Sequence, residues 1–256
     1  MVISDNKTIL VERAEKVVYQ DGDRVVKSFK AAKPASDVLN EALNLARIAE
    51  AGVAAPKVLE VSPTADGGWA LATEFVPGTT VRKLMDEAEG DKKAEILAKF
   101  VDLQVQVQNT QAPALLTSQR AKFKTMIAKV KDIDPSSRYE LEMRAERMRG
   151  HKYICHGDFN PSNVILGEDG CAYVCDWAHV TRGLPEADAA MTYILFKMYH
   201  AELAEAYLDL YSEKADMPKQ KIMYWVPVVA AAELARGRKD SEEMLKSFVE
   251  ATNDYE

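Results

Sequence analysis

Three cysteines in 256 residues, an odd number with no Cys-x-x-Cys knuckle among them, are too few for a disulfide framework. A thiolate zinc site is disfavoured with it, and Cys171 and Cys175, in a strand-like run, read as buried free thiols. No Lys/Arg tract occurs: 33 basic residues stand against 40 acidic ones, a formal net charge of −7. A chain without a basic footprint is not expected to bind nucleic acid through its phosphates. No run approaches the ~18 apolar residues of a membrane span, and the N-terminus lacks a basic stretch leading into an apolar one. The expectation is a cytoplasmic protein with no membrane partner. Internal repeats and low-complexity tracts are missing too, and His151, His179 and His200 lack partners at metal spacing, so they read as surface or loop residues.

What is present is a 47% hydrophobic chain, enough for a sizeable core in one two-lobed domain or two small ones. From Thr8 to Lys30 short runs alternate apolar and polar residues, Ile9-Leu10-Val11, Lys16-Val17-Val18-Tyr19 and Arg24-Val25-Val26-Lys27-Ser28-Phe29. Asp21-Gly22 between the last two is a hairpin signal, so this is an antiparallel meander. Pro34 and Ser36-Asp37 then open a helix with Leu39, Ala42, Leu43, Ala46 and Ala49 at helical spacing, closed by Gly52. Two more strands follow at Lys57–Val61 and Trp69–Phe75. Val76-Pro77-Gly78 breaks the pattern. Beyond it the period is helical to Gly150, with caps expected at Thr79 or Thr80, Asp91 and Ser136, and helices resume at Pro185 after three short strand-like runs. The order predicts an α+β fold: a small antiparallel β-rich lobe with one helix at 1–76, a larger mainly helical lobe at 77–256, and a ligand cleft between them.

The segment richest in chemistry is Cys155-His156-Gly157-Asp158-Phe159-Asn160-Pro161-Ser162-Asn163, followed by Val174-Cys175-Asp176-Trp177. A carboxylate precedes an amide by five residues on one loop, and a second carboxylate ends the next strand, thirteen residues after the amide. Phosphoryl transfer needs such a set, because its transition state requires a divalent metal on the β- and γ-phosphates, oxygen ligands for that metal, and an acceptor for the incoming hydroxyl proton. Asn163 and Asp176 are the candidate Mg²⁺ ligands. Asp158 is the candidate catalytic base.

These residues resemble the aminoglycoside phosphotransferase and choline kinase group of small-molecule kinases, whose fold is protein-kinase-like. The resemblance implies a supporting role for His156 in the catalytic loop. It extends to Val25-Val26-Lys27, similar to the strand lysine that contacts the α- and β-phosphates, and to Glu41, similar to the helix glutamate that pairs with that lysine. Thr73-Glu74-Phe75-Val76-Pro77 resembles the hinge. Backbone groups of Glu74 and Val76 would then bond the purine, with Val11, Val25 and Phe75 as candidates to sandwich it. A backbone-read hinge admits GTP as well as ATP. Leu184-Pro185-Glu186-Ala187-Asp188 resembles the run that opens the family's next helix, with Asp188 mainly structural.

The sequence departs from the protein-kinase pattern at two places. The first turn, Glu12-Arg13-Ala14-Glu15, has no glycine, so the backbone cradle for phosphate is missing and Arg13 is a weak substitute contact. Gly157 and Trp177 stand where protein kinases usually carry Arg and Phe, so a phospho-switched activation loop is not expected. Only eight residues separate Asp176 from Pro185, whereas a peptide-docking segment needs roughly twenty or more. The expected acceptor is therefore a hydroxyl of a small molecule, aminoglycoside-like or another metabolite, with antibiotic, choline and sugar all open and cationic character one option among them. Glu186, Glu205, Asp209 and, by resemblance, Glu233 are its candidate contacts, and Tyr193, Phe196, Tyr199, Tyr207 and Tyr211 form either an aromatic box or core. A silent nucleotide-binding module and a protein kinase are the alternatives. The first would show a damaged lysine, base or metal ligand, and none is damaged here.

Overall fold

The structure is a computed structural model that describes residues 1–150 and 152–251; His151 lies outside them. The meander forms β1 (Thr8–Glu12), β2 (Lys16–Asp21) and β3 (Arg24–Phe29), followed by α1 (Ala35–Glu50), β4 (Val58–Pro63) and β5 (Trp69–Glu74). The chain continues through β6 (Gly78–Thr80), α2 (Val81–Glu87), α3 (Gly90–Gln108), α4 (Gln119–Ile127), α5 (Pro135–Glu146), β7 (Tyr153–Cys155), β8 (Val164–Gly167), β9 (Ala172–Val174) and β10 (Thr181–Gly183). It ends in α6 (Pro185–Tyr199), α7 (Ala204–Lys214), α8 (Lys219–Met223), α9 (Val226–Leu234) and α10 (Glu242–Glu250). No helix among the described residues is long and apolar enough to cross a membrane.

Two compact units emerge, Met1–Lys83 with Ser162–His179, and Leu84–Pro161 with Val180–Glu256. This differs from the expected single division at 76/77. The reason is a second sheet, β6-β8-β9, in which Gly78–Thr80 is a strand and pairs with Gly167–Ile165. Two further bonds reinforce it, Glu168 N–H to Pro77 O at 2.9 Å and Val174 N–H to Ala54 O at 3.0 Å.

In the first unit five antiparallel strands pair in the order β1-β2-β3-β5-β4. The period of two on β3 sends Val25, Lys27 and Phe29 to one face and Val26 to the other. Phe29 packs with Leu71 and with Val38 and Ala42 of α1, while Val26 packs with Ala70 and Ala72 under Met1, Ile3 and Tyr19. The buried stripe of α1 is Val38, Glu41, Ala42, Leu45 and Ile48, about one residue round from the expected one, and Leu39 and Leu43 are about half exposed. The shift follows from packing: only this stripe meets Phe29 and buries Glu41. At the β2–β3 turn the central pair is Gly22-Asp23 rather than Asp21-Gly22. Gly22 alone takes positive φ (65°), and Asp21 is a strand residue paired with Arg24 at 2.6 Å.

The helical unit is built around α6 and α9. Residues Glu186–Phe196 and Val226–Glu233 are buried on every side, as helices apolar all round must be. Phe100 meets Phe159 at 4.9 Å between ring centroids, and Phe196 stacks on Tyr207 at 4.9 Å. Tyr193, Phe196, Tyr207 and Tyr211 are thus core, and only Tyr199 of the five aromatics is exposed. His200 is buried against Phe196 instead of lying on the surface, and Cys171 is exposed rather than buried. Thr80 Oγ1 caps α2 through Lys83 N–H at 3.2 Å, as expected. Asp91 and Ser136 fall inside first turns: Glu89 precedes α3, and the Asp134 side chain caps α5. Pro227 occupies the first turn of α9, where its missing N–H costs nothing.

Candidate active site

Each unit carries its own set of chemical groups. In the sheet unit Lys27 projects from β3 on the face covered by α1 and meets Glu41 Oε1 at 2.6 Å and Asp176 Oδ1 at 3.2 Å. Burial alone would drag the Lys27 ammonium down, but Asp176 and Glu41 outweigh it and hold its pKa raised. Asp176 sits just beyond β9 in a left-handed conformation (φ 62°) that non-glycine residues seldom adopt. Trp177, 1% exposed, pins that turn by donating Nε1–H to Val174 O at 2.8 Å. The Cys175 N–H donates to Asn163 O at 2.8 Å and so ties the amide-bearing segment to the residue before Asp176. The Asp176 carboxylate and the Asn163 amide, on segments tied to each other by that backbone bond, are oxygen donors of the hard kind. Such a set fits a magnesium ion, which keeps several waters and takes few protein ligands. No three-residue metal cluster of His, Cys, Asp and Glu occurs among the described residues.

Lys16 was not anticipated. The turn after β1 closes through Arg13 N–H to Lys16 O at 2.9 Å, and Lys16 Nζ lies 3.5 Å from Asp176 Oδ2. The only available signal was its place at the start of β2, beside the turn that lacks glycine. Arg13 itself is exposed. Among the purine candidates, Val25 shares the face of Lys27, Phe75 is half-buried, and Val11 is 40% exposed. The Glu74 N–H is spent on Lys57 O and that of Phe75 on Asp23 O, so a part for Glu74 in base recognition falls to its carbonyl. Cys175 is half-buried and in no disulfide, and burial pushes its thiol up to about 11.

In the helical unit the loop after β7 is held by two buried hydrogen-bond chains. In one, Tyr211 donates to Gln108 Oε1, Gln108 Nε2 donates to Asp188 Oδ2 at 2.8 Å, and Asp188 accepts the amides of His156 (3.1 Å) and Gly157 (2.8 Å). In the other, Tyr207 donates to Gln104 Oε1 (2.9 Å), Gln104 Nε2 to Thr192 Oγ1 (2.9 Å), and Thr192 to Phe159 O (3.0 Å). Each step is four residues along its helix: 207 and 211 on α7, 104 and 108 on α3, 188 and 192 on α6. One helical turn therefore separates two anchors that bracket Asp158. Gly157 takes φ 74°, a geometry unfavourable to the arginine of protein kinases. The Asp158 N–H donates to His156 Nδ1 at 3.2 Å, and Asn160 Nδ2 reaches Asp158 O and Oδ1 at 3.1 and 3.3 Å. Asn160, like Gln104, Gln108 and Thr192, had no role assigned from sequence. Burial raises the Asp188 carboxyl despite the bonds from Gln108 and Gly157, which favour its charged form.

The expected acceptor contacts fare differently. Glu186 is buried and faces Lys221 at 3.4 Å, Glu205 faces Lys197 at 2.7 Å, and Asp209 pairs with Lys219. Glu233 has no exposed surface and lies between Arg236 (3.1 Å) and Arg238 (2.8 Å). Each of these candidate contacts is thus paired with a neighbouring lysine or arginine.

Residues 11–221 match the profile of the phosphotransferase enzyme family APH, and the chain belongs to that family. It is a small-molecule phosphotransferase with a protein-kinase-like fold. Among solved structures it is similar to a thermostable mutant of aminoglycoside phosphotransferase APH(4)-Ia in ternary complex with ADP and hygromycin B. That match has TM-score 0.69 and 16% identity over 98% of this chain and 94% of the other. It is also similar to a choline/ethanolamine kinase family protein from Mesorhizobium loti, with TM-score 0.64 and 14% identity over 97% and 86% of the two chains. A third, aminoglycoside-3'-phosphotransferase of type VIII, has TM-score 0.61 and 19% identity over 89% and 93%. No curated protein matches the chain in sequence.

Proposed function

We propose that the chain transfers the γ-phosphoryl group of ATP, with magnesium, to a hydroxyl of a small molecule. The observation that supports this best is Asp176 held between Lys27 and Lys16 at 3.2 and 3.5 Å, with Lys27 secured by Glu41. Ammonium groups resting on a carboxylate mark where anionic phosphates and a cation would exchange places with them. Magnesium bound by Asn163 and Asp176 would neutralise charge on the β- and γ-phosphates. Lys27 and Lys16 would take up the residual phosphate charge, which supplies grip where the glycine-free turn has none. The base would rest on Val25 and bond the backbone at Glu74 and Val76, a mode that accommodates GTP too.

On the helical unit Asp158 would orient the acceptor hydroxyl and accept its proton, with Asn160 steadying the carboxylate and His156 the backbone. Catalysis would rest on positioning and electrostatics rather than covalent chemistry. The test is Asp158→Asn in a turnover assay with Mg-ATP and a panel of aminoglycosides, choline, sugars and hydroxy acids. Turnover should vanish while nucleotide affinity persists, and unchanged turnover overturns the assignment.

A further inference from the structure

Apart from Asp158 itself, the charged groups of its surroundings are three cations against two carboxylates. Lys122 on α4 and Arg236 and Arg238 in the loop after α9 supply three cationic side chains, and α4 and α6 both pack on α9. The charge of Asp158 acts on Lys122, Glu233 and Arg238 alike. Against these cations stand Glu233, which is fully buried, and Asp188, which is committed to Gln108 and two loop amides.

Glu233 does not saturate the two guanidiniums. Neither of its carboxylate oxygens has an aligned hydrogen bond, nor has Arg238 Nε, although all are buried. The contacts at 3.1 and 2.8 Å are thus charge pairs without the forked geometry that guanidinium and carboxylate prefer. The arginine side chains keep 16% and 26% exposure while the carboxylate beneath them keeps none, and Arg238 Nη1 also reaches the hydroxyl of exposed Tyr199. Arginines anchored below and turned outward above present donors to an incoming anion. A polycation would instead meet like charges in a partly buried, weakly screened setting.

We propose, resting on the phosphotransferase reading above, that the acceptor is an anionic small molecule whose carboxylate or phosphate is received by Arg236, Arg238 and Lys122 while its hydroxyl lies at Asp158. Lys122 is pushed down to about 7 by burial and by the Arg236 charge, against the pull of Glu233, Asp188 and Asp158. An arriving anion favours its protonated form, so binding takes up a proton and affinity falls as pH rises through about 7.

The test is a matched series of glucosamine, glucose, gluconate and glucose 6-phosphate, read by melting-temperature shift with Mg-AMP-PNP and by turnover with Mg-ATP. The anions should stabilise the protein more than glucose and glucosamine, more strongly at pH 6 than at pH 8. Lys122→Met, which keeps the packed stem, and Arg238→Met should each reduce apparent anion affinity about tenfold. A melting shift with glucosamine equal to or above gluconate overturns the proposal, as does the absence of any anion excess or an unchanged order in Lys122→Glu. The two readings fail separately. ATP turnover that Asp158→Asn abolishes, without anion preference, removes only the anionic acceptor; turnover indifferent to Asp158→Asn removes the phosphotransferase assignment beneath it.

Discussion

In the sheet unit Lys27, Lys16 and Asp176 are held by charge, Lys27 by Glu41 at 2.6 Å and both lysines by Asp176 at 3.2 and 3.5 Å, with the side chains of the three 16–25% exposed. In the helical unit the loop of Asp158 is anchored by Gln104, Gln108, Thr192, Tyr207 and Tyr211, uncharged and buried, together with one carboxylate, Asp188. The difference teaches what each arrangement is for. Ion pairs among partly exposed groups rearrange cheaply when a ligand brings its own charges. Buried hydrogen bonds between neutral groups have no solvent to fall back on, so they hold the loop still. One unit is built to exchange partners and the other to keep them.

The largest expected effect strikes at the group held still: Asp158→Asn should lower kcat by about 10²–10⁴-fold with nucleotide affinity unchanged in calorimetry. Next, Lys27→Ala should weaken nucleotide binding by about 100-fold and also lower the melting temperature, because buried Glu41 loses its counter-ion, whereas Lys16→Ala should weaken binding by about tenfold with little change in melting temperature. Equal losses from the two lysines would break the idea that Lys27, fixed by Glu41, is the principal contact. Gln104→Leu and Thr192→Val should each cost about 1–3 kcal/mol in denaturant unfolding. The pair should cost less than the sum, and kcat should fall while KM for nucleotide holds, since the two share one chain.

A pH experiment sharpens the contrast further. Lys122 binds fewer protons folded than unfolded between about 7 and its ordinary 10.5. Its contribution to stability therefore rises with pH across that window and is least favourable below it. The melting temperature of the native chain, measured against Lys122→Met, should climb from pH 7 towards pH 10. Smallest of all, Glu205→Gln should shift stability by about 0.5 kcal/mol or less and leave acceptor preference untouched, because its exposed pair with Lys197 is screened by solvent.

Much of the sheet unit was legible beforehand because alternation and turn residues are local. The strand positions and the carboxylate–amide spacing of the loop from His156 to Asn163 follow from runs and spacings within a few residues, whereas the Lys27–Glu41 pair, fourteen residues apart, was legible only through the resemblance to the small-molecule kinases. The sequence places the buried face of α1 one residue off, since Leu39 and Leu43 fit a helical period as well as Val38 and Leu45 do, and only contact with Phe29 decides between them. β6 and β10, three residues each, are too short to show a period. The anchoring chains were illegible for a stronger reason: their partners lie 80 to 103 residues apart in sequence, and a glutamine in a helix carries no mark of burial. The pairing of the candidate acceptor contacts Glu186, Glu205, Asp209 and Glu233 was illegible because their counter-ions stand on other turns or helices.

By itself the sequence determined the fold class and, through the resemblance its motifs carry, the kind of reaction, because motif spacing and hydrophobic period are properties of neighbours along the chain. The tertiary structure alone decided which charges remain unspent. It paired Glu186, Glu205 and Asp209 with lysines, sealed Glu233 beneath two arginines, and set Lys16 beside Asp176. A net charge of −7 belongs to the whole chain, whereas a ligand responds to the few charges within a Debye length that burial and pairing leave unmatched.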